Sequence, residues 1–271
     1  MTDTGKKIKR EIMRDQEKAI RHVTISPQIG RAVNRGLDIV FPPQPLWMRL
    51  KADHQTSLHM IDDPQCDICG FPFPYDLGEG ALCGNCVAAR PAYDHARAAF
   101  VYDAFSRGPI LSFKHGGQTH GLQVFARQLA RAGRRFLKDA DIIIPVPLHP
   151  RRLRKRRFNQ AALLGRALSR ISFIPQDSQS LLRVKQTDSQ DGKSASGRRR
   201  NMQGAFRAPE ARAELVLGRN IVLIDDVLTT GATVEACART LKRAGAARVD
   251  VLTLARVIRE ETANGNNNTI M

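Results

Sequence analysis

The sequence has few aromatic residues, no long apolar run and no apolar segment at its amino terminus. Aromatic residues make up 6% of the 271 residues, which argues against an extensive surface for stacking nucleic-acid bases. No apolar run approaches the roughly 20 residues that a helix needs to span a bilayer, and the first residues lack the apolar core of a secretory signal. We therefore expect no membrane span and a cytoplasmic protein.

Charge is plentiful but unevenly distributed. The formal net charge is +17, and residues 151–200 hold 14 Lys and Arg against 3 Asp, a net +11. A basic run found in isolation is commonly a solvated face without a specific ligand. Clustered Lys and Arg can also neutralise pyrophosphate or the backbone of a nucleic acid, and charge alone leaves both partners open.

Four of the five cysteines form two pairs with the same spacing. Two residues separate Cys66 from Cys69 and Cys83 from Cys86, and 13 residues lie between the pairs. This spacing predicts one tetrahedral zinc site made of two knuckles. Two disulfides are disfavoured without an export signal, and a redox pair is disfavoured without a surrounding βαβ pattern. Cys237 lies at helical spacing among apolar residues and is predicted to be a core residue.

The most informative stretch begins with a predicted strand. Ile221–Ile224 are four consecutive apolar residues, a pattern typical of a strand buried on both faces in a parallel sheet. Asp225 and Asp226 follow at its carboxyl end. Adjacent carboxylates can accept hydrogen bonds from vicinal hydroxyls or help to hold a hydrated Mg²⁺ ion.

A small, hydroxyl-rich segment follows the acid pair and leads into a predicted helix. The backbone N–H groups and the dipole of such a helix can bind a phosphate, and Gly231 lets the chain approach the anion closely. A ribose 5-phosphate would use both parts, with its hydroxyls on the acid pair and its phosphate in this loop. The alternatives are an Asp-capped helix after a buried strand and a phosphoacceptor Asp. The predicted phosphate loop comprises Thr229, Thr230, Gly231, Ala232 and Thr233.

A second buried strand, Asp141–Ile144, runs into a proline-rich segment and then into six basic residues between positions 151 and 157. The prolines hold the backbone extended or turning. Because guanidinium groups bind phosphates bidentately, we expect a rigid loop that receives pyrophosphate. Its predicted residues are Val146, Pro147, Arg151, Arg152 and Arg154.

These motifs together resemble the ComF family of competence-associated proteins, in which a zinc ribbon precedes a type I phosphoribosyltransferase domain. Residues 221–233 are similar to the phosphoribosyl pyrophosphate (PRPP) motif of such domains at all 13 positions. The resemblance covers about residues 37–258, and it also includes the cysteine knuckles, Lys114–Gly116, Pro145–Pro147, Phe158–Gln160 and the polar segment from Gln190 to Phe206.

The family resemblance implies an α/β fold: a type I phosphoribosyltransferase-like parallel sheet with flanking helices, preceded by a small zinc-ribbon module. The expected parts are a basic arm (1–36), a zinc-ribbon module (37–92), a phosphoribosyltransferase-like domain (93–258) and a disordered tail (259–271). The polar segment is expected to be a lid over an anionic substrate. The resemblance assigns Gln190, Arg198 and Asn201 to that lid.

Two departures from the family pattern concern the metal module and the basic segment. Residues 42–65 contain no cysteine, so the first ribbon of many family members is absent or metal-free. Arg157 stands where the family has glycine, which puts the backbone freedom of that segment in doubt while adding charge.

The implied reaction is Mg²⁺-dependent glycosyl transfer at the anomeric carbon of PRPP with release of pyrophosphate, linked to DNA uptake. No catalytic residue is assigned, because Thr229 occupies the position where purine-salvage relatives place an Asp general base. The acceptor therefore stays open. The alternatives are a PRPP or nucleotide sensor without turnover, and a single-stranded DNA-handling factor that works with competence proteins.

Overall fold

The computed structural model describes residues 58–116, 121–186 and 202–258. The predicted arm (1–36), the predicted tail (259–271) and the lid residues Gln190, Arg198 and Asn201 lie outside them. Within the described ranges, no helix is long and apolar enough to cross a membrane.

The described residues form six strands and seven α-helices. The strands are β1 (His95–Val101), β2 (Ile142–Pro145), β3 (Leu182–Arg183), β4 (Phe206–Arg207), β5 (Asn220–Leu228) and β6 (Arg248–Arg256). The helices are α1 (Gly84–Ala88), α2 (Ala104–Gly116), α3 (Leu122–Ala132), α4 (Arg134–Leu137), α5 (Pro150–Arg156), α6 (Gln160–Ser172) and α7 (Ala232–Arg243), and a 3₁₀ helix spans Glu210–Leu215.

The main sheet is parallel and has the order β1-β6-β5-β2. Strand β5 is internal, and Ile224 pairs with Pro145 on one side and Leu252 on the other. All four residues of Ile221–Ile224 are 0% exposed, because both faces of the strand are covered. The predicted fold class, a parallel sheet with flanking helices, is confirmed.

Each face of the sheet has its own hydrophobic core. Ile221 and Leu223 belong to the core that includes α7, whereas Val222 and Ile224 belong to the core that includes α3 and α6. This alternation is the period-2 geometry of a strand between two layers. Residues 122–137 form two helices, because α3 ends at Ala132 with Gly133 as its cap and α4 follows. A Cβ at Gly133 would lie 2.9 Å from Leu252 Cδ2, so α3 turns into α4 in close contact with the sheet.

The cysteine module packs directly on the sheet. Cys66, Cys69, Cys86 and Tyr93 share one core with Leu223 and its neighbours. The module joins the edge strand through a 2.6 Å hydrogen bond from the Ala96 N–H to the Ile68 carbonyl. Gly70 makes this approach possible, because its φ is +68° and an added Cβ would overlap the carbonyl oxygen of Ala96.

Candidate functional site

Parallel pairing brings the ends of β2 and β5 together. Strand β5 is longer than the predicted apolar run, since Asp225 still pairs with Thr253, and Asp225 and Asp226 lie within it. The N–H of Val146 donates to the carbonyl of Ile224 at 2.8 Å. The proline segment after β2 therefore runs beside the acid pair, at the edge of the sheet where ligands of open α/β folds bind.

The acid pair is partly exposed at this edge. Both Asp225 and Asp226 have intermediate exposure, and the Asp225 Oδ1 accepts the backbone N–H of Asp226 at 2.9 Å. This local bond fixes one oxygen of the Asp225 carboxylate. Two adjacent carboxylates of this kind fit the oxygen ligands of Mg²⁺ and the hydroxyls of a sugar.

The predicted phosphate loop connects β5 to α7. Gly231 caps the amino end of α7 and has φ +75°, a left-handed backbone conformation that glycine adopts without strain. As a glycine, it offers no side-chain hydrogen bond to the first turn of the helix. The first N–H groups of an α-helix have no acceptor within the helix. Thr230 Oγ1 is buried without a hydrogen-bond partner among the described residues. Ala232 is 5% exposed, while Thr229 is exposed.

The basic segment is a helix rather than the loop we expected. Helix α5 begins at Pro150, a favoured first helical residue, and His149 accepts the N–H of Arg151 at 3.3 Å. Arg151 and Arg154 are exposed, whereas Arg152 is half-buried. Arg151 also donates to Gln186 Oε1 at 2.7 Å, which ties α5 to the residues ahead of the predicted lid.

Asn159 links the proline segment to the next helix. Its Nδ2 donates to the carbonyl of Val146 at 3.0 Å, and its Oδ1 caps α6 by accepting the N–H of Ala161 at 3.1 Å. This explains why the Phe158–Gln160 motif accompanies the proline segment: one side chain fixes both backbones. Val146 is 5% exposed and Pro147 is also buried, so they shape the backbone more than they offer side chains.

Arg183 is a buried arginine that the sequence pattern does not single out. It lies on β3, is 8% exposed and packs its guanidinium over the Phe206 ring, 5.5 Å from the centroid. Burial lowers its pKa below the ordinary value and the Arg152 charge lowers it further, while Cys237 and Asp225 act in the opposite direction. A lone arginine in a polar stretch carries no periodic signal, so only the folded chain reveals it.

The four paired cysteines meet in one cluster. Their Sγ atoms all lie within 4.8 Å of one another, and none of the four forms a disulfide. Tetrahedral zinc with four thiolates spaces sulfur atoms by about 3.8 Å, so the donor set and its size fit zinc. Cys237 is 0% exposed and lies on α7, as predicted for a core residue.

Backbone donors already favour a thiolate in this cluster. Burial opposes ionisation of Cys66, but hydrogen bonds from Cys83, Cys69 and Ile68 bring its pKa down to about 7. Burial raises the pKa of Cys69 to about 11, although the Arg256 charge opposes the rise. The N–H of Cys83 donates to Cys66 Sγ at 3.3 Å, which is the orientation of a metal knuckle.

The parallel sheet with flanking helices is that of a type I phosphoribosyltransferase-like protein, and the profile of the family described as "Phosphoribosyl transferase domain" matches residues 169–266. The chain is 35% identical to competence protein F of Haemophilus influenzae over 198 residues, which is 71% of this chain and 85% of that protein. On this evidence the chain belongs to the ComF family.

Two further relatives agree with this assignment. DNA utilization protein YhgH of Escherichia coli is 35% identical over 218 residues, covering 73% of this chain and 86% of that protein. Competence protein ComFC of Bacillus subtilis is 29% identical over 210 residues, covering 74% of this chain and 82% of that protein.

Proposed function

We propose that this chain binds Mg²⁺-PRPP and transfers its ribose 5-phosphate group with release of pyrophosphate. One observation carries the proposal: Asp225 and Asp226 lie near the carboxyl end of a buried strand, ahead of a Gly231-capped helix and beside the Val146 backbone. A ligand with a phosphate, a diol and a second anion would fit this edge. The proposed location is the cytoplasm, where free thiols such as those of these five cysteines persist.

The proposed roles follow from position. The loop Thr229–Thr233 binds the 5-phosphate, Asp225 and Asp226 accept the ribose hydroxyls or hold the hydrated cation, and the basic side chains of α5 face the pyrophosphate. Bound Mg²⁺ would neutralise charge on the leaving pyrophosphate. Holding the two anionic ends apart exposes the anomeric carbon between them, and fixed positive charge stabilises the pyrophosphate as it departs. The Cys66, Cys69, Cys83 and Cys86 cluster would hold a structural zinc ion.

Isothermal calorimetry with Mg²⁺-PRPP tests the binding step, and Asp226→Asn is the matched variant. This change keeps the side-chain size but removes the charge, so we expect PRPP affinity to fall about tenfold or more without loss of fold. Pyrophosphate release in the presence of candidate acceptors then separates an enzyme from a sensor that binds without turnover. Parent protein that does not bind Mg²⁺-PRPP contradicts the proposal.

A second candidate function is binding of single-stranded DNA. Arg151, Arg154 and Arg157 are exposed around α5, and relatives carry names that refer to DNA utilization and competence. Clustered arginines can bind a nucleic-acid backbone, and that binding weakens steeply as salt increases. A salt titration of binding to a fluorescent oligonucleotide tests this candidate. Binding that is insensitive to salt, or absent, argues against it.

A further inference from the structure

Two arginines of the main sheet reach the first cysteine knuckle, which comprises residues 66–69. Arg97 on β1 donates from Nη1 to the carbonyl of Asp67 at 2.9 Å. Arg256, at the end of β6, donates from Nη1 to the carbonyl of Cys69 at 2.5 Å. The two neighbouring strands therefore hold the backbone of this knuckle through contacts that involve no metal.

Arg256 also contacts a sulfur atom of the cluster. Its Nη2 lies 3.6 Å from Cys69 Sγ, within reach of an N–H···S hydrogen bond. The guanidinium lies over the Phe71 ring, 5.6 Å from the centroid, and this contact helps to fix its position. Arg97 directs its guanidinium elsewhere, since it donates to the Ala96 carbonyl and its Nη2 lies 3.6 Å from the Asp67 carboxylate.

The cysteine cluster needs positive charge nearby when it holds a metal. A zinc ion with four thiolate ligands carries a net charge of about −2. Three of the four cysteines are buried, and Cys69 is 6% exposed, so water screens this charge poorly. A buried charge without compensation is costly. Arg256 places a positive charge directly beside one of the four sulfur atoms.

We infer that Arg256 is a positioning residue of the metal centre, which holds the Cys69 sulfur in place as a ligand and offsets the negative charge of the four thiolates. The inference rests on the proposed zinc site and not on PRPP binding. Partners that surround metal ligands in this way fix ligand orientation and tune metal affinity. The metal centre is thereby tied to the edge of the sheet that carries the predicted phosphate loop, since Arg256 pairs with Leu228.

Equilibrium competition with a chromogenic chelator tests this role in the full chain. Arg256→Met removes the charge and keeps much of the side-chain length, and we expect zinc affinity to fall about tenfold or more. Arg256→Lys should recover part of the loss, because it returns a cation without the forked donor geometry. Arg97→Met is the matched control, since it removes contacts to the same knuckle but leaves Arg256 beside Cys69 Sγ. We expect it to lower the Tm and to lose clearly less zinc affinity than Arg256→Met.

Cobalt(II) supplies a readout that a loss of packing does not move. In the place of zinc, it gives charge-transfer bands in the near ultraviolet whose energies follow the electron density on the ligating sulfur atoms. Removal of the cation beside Cys69 leaves that sulfur more electron-rich, so Arg256→Met should shift these bands to longer wavelength. The spectrum of Arg97→Met should match that of the parent.

Phe71→Leu removes the ring beneath the guanidinium and serves if Arg256→Met fails to fold. It should reproduce part of the affinity loss and part of the spectral shift, because the guanidinium is then held less firmly. Unchanged zinc affinity and an unchanged cobalt spectrum in Arg256→Met, or in Phe71→Leu where the first variant does not fold, would overturn the role of Arg256 and leave the zinc site intact.

Equal affinity losses in Arg97→Met and Arg256→Met without a spectral shift would also overturn this role, since loss of backbone contacts would then explain both. Parent protein that binds neither zinc nor cobalt would overturn the proposed metal site together with this inference. Calorimetry with Mg²⁺-PRPP judges the proposed transfer function separately, because none of these metal measurements uses that ligand.

Discussion

Arg256 donates a hydrogen bond from Nη1 to the carbonyl oxygen of Cys69 at 2.5 Å, and its Nη2 lies 3.6 Å from Cys69 Sγ. Arg256 ends β6 and pairs with Leu228, the residue before the phosphate loop. Tyr93 Oη lies 3.9 Å from the position of an added Cβ on Gly231. Arg256 and Tyr93 therefore connect the cysteine cluster to the predicted phosphate loop.

Removal of the metal should weaken phosphate binding because of this shared packing. We expect a chelator-treated chain to bind ribose 5-phosphate roughly fivefold more weakly or worse, and affinity should return when zinc is restored. By reciprocity, ribose 5-phosphate should raise the affinity of the chain for zinc by the same factor. Calorimetry and equilibrium competition with a chromogenic chelator measure the two directions, and equal affinities with and without metal would contradict the coupling.

Protein purified without added zinc should contain about one equivalent of zinc per chain. The reason is that four thiols lie within 4.8 Å of one another. Metal analysis by mass spectrometry is the measurement. Changing Cys66, Cys69, Cys83 and Cys86 together to Ser should abolish the zinc, whereas Cys237→Ala should leave the zinc content unchanged because its side chain lies in the core. Retention of zinc by the fourfold variant would exclude this site.

Gly231→Val should abolish binding of ribose 5-phosphate and of PRPP alike. Its φ of +75° disfavours any branched side chain, and a Cβ there would obstruct the approach of a phosphate to the backbone. Gly218→Val is a matched control, because Gly218 has φ +68° with no atom within 4 Å of an added Cβ. Both variants should lose stability in thermal unfolding, but only Gly231→Val should lose the ligand. Loss of ligand in both would assign the effect to backbone strain alone.

Replacing Arg151, Arg152 and Arg154 together with Gln should weaken PRPP more than ribose 5-phosphate. Only PRPP carries the second anion that α5 is proposed to face, and charge-assisted hydrogen bonds to it are lost. Calorimetry of the two ligands gives the comparison. Equal weakening of PRPP and ribose 5-phosphate binding would contradict the assignment of these arginines to the pyrophosphate.

Arg157→Gly should stabilise the protein by about 0.5 kcal/mol or more. Arg157 caps the carboxyl end of α5 with φ +66°, a left-handed conformation that strains a residue with a side chain. Arg156→Gly, one residue earlier within the helix, should instead destabilise it by about 1 kcal/mol. Denaturant unfolding measures both changes. Destabilisation by Arg157→Gly would show that its side chain contributes more than its backbone strain costs.

Several parts of the site were readable from the sequence because they are local. The apolar run Ile221–Ile224 predicted a buried strand, and the small, hydroxyl-rich segment after the acid pair predicted a loop that leads into a helix. The cysteine spacing predicted a four-sulfur cluster, because each knuckle is a short turn. The ComF resemblance rested on these same local motifs, and the relatives bear it out.

Other parts depended on contacts between distant segments. Parallel pairing, not any local signal, placed Val146 beside the acid pair. Prolines marked a turn after β2, but the helix from Pro150 to Arg156 shows no apolar period and was expected to be a loop.

Arg183 shows most clearly what could not be predicted from the sequence alone. In the sequence it is one more basic residue, and it acquires a buried position only because Phe206 and Met202 fold over it from about 20 residues away. The sequence alone thus determined the strand, the loop and the two cysteine knuckles, since backbone propensity and spacing act over a few residues. The tertiary structure decided which charges face one another, since electrostatic partners are set by distance in space.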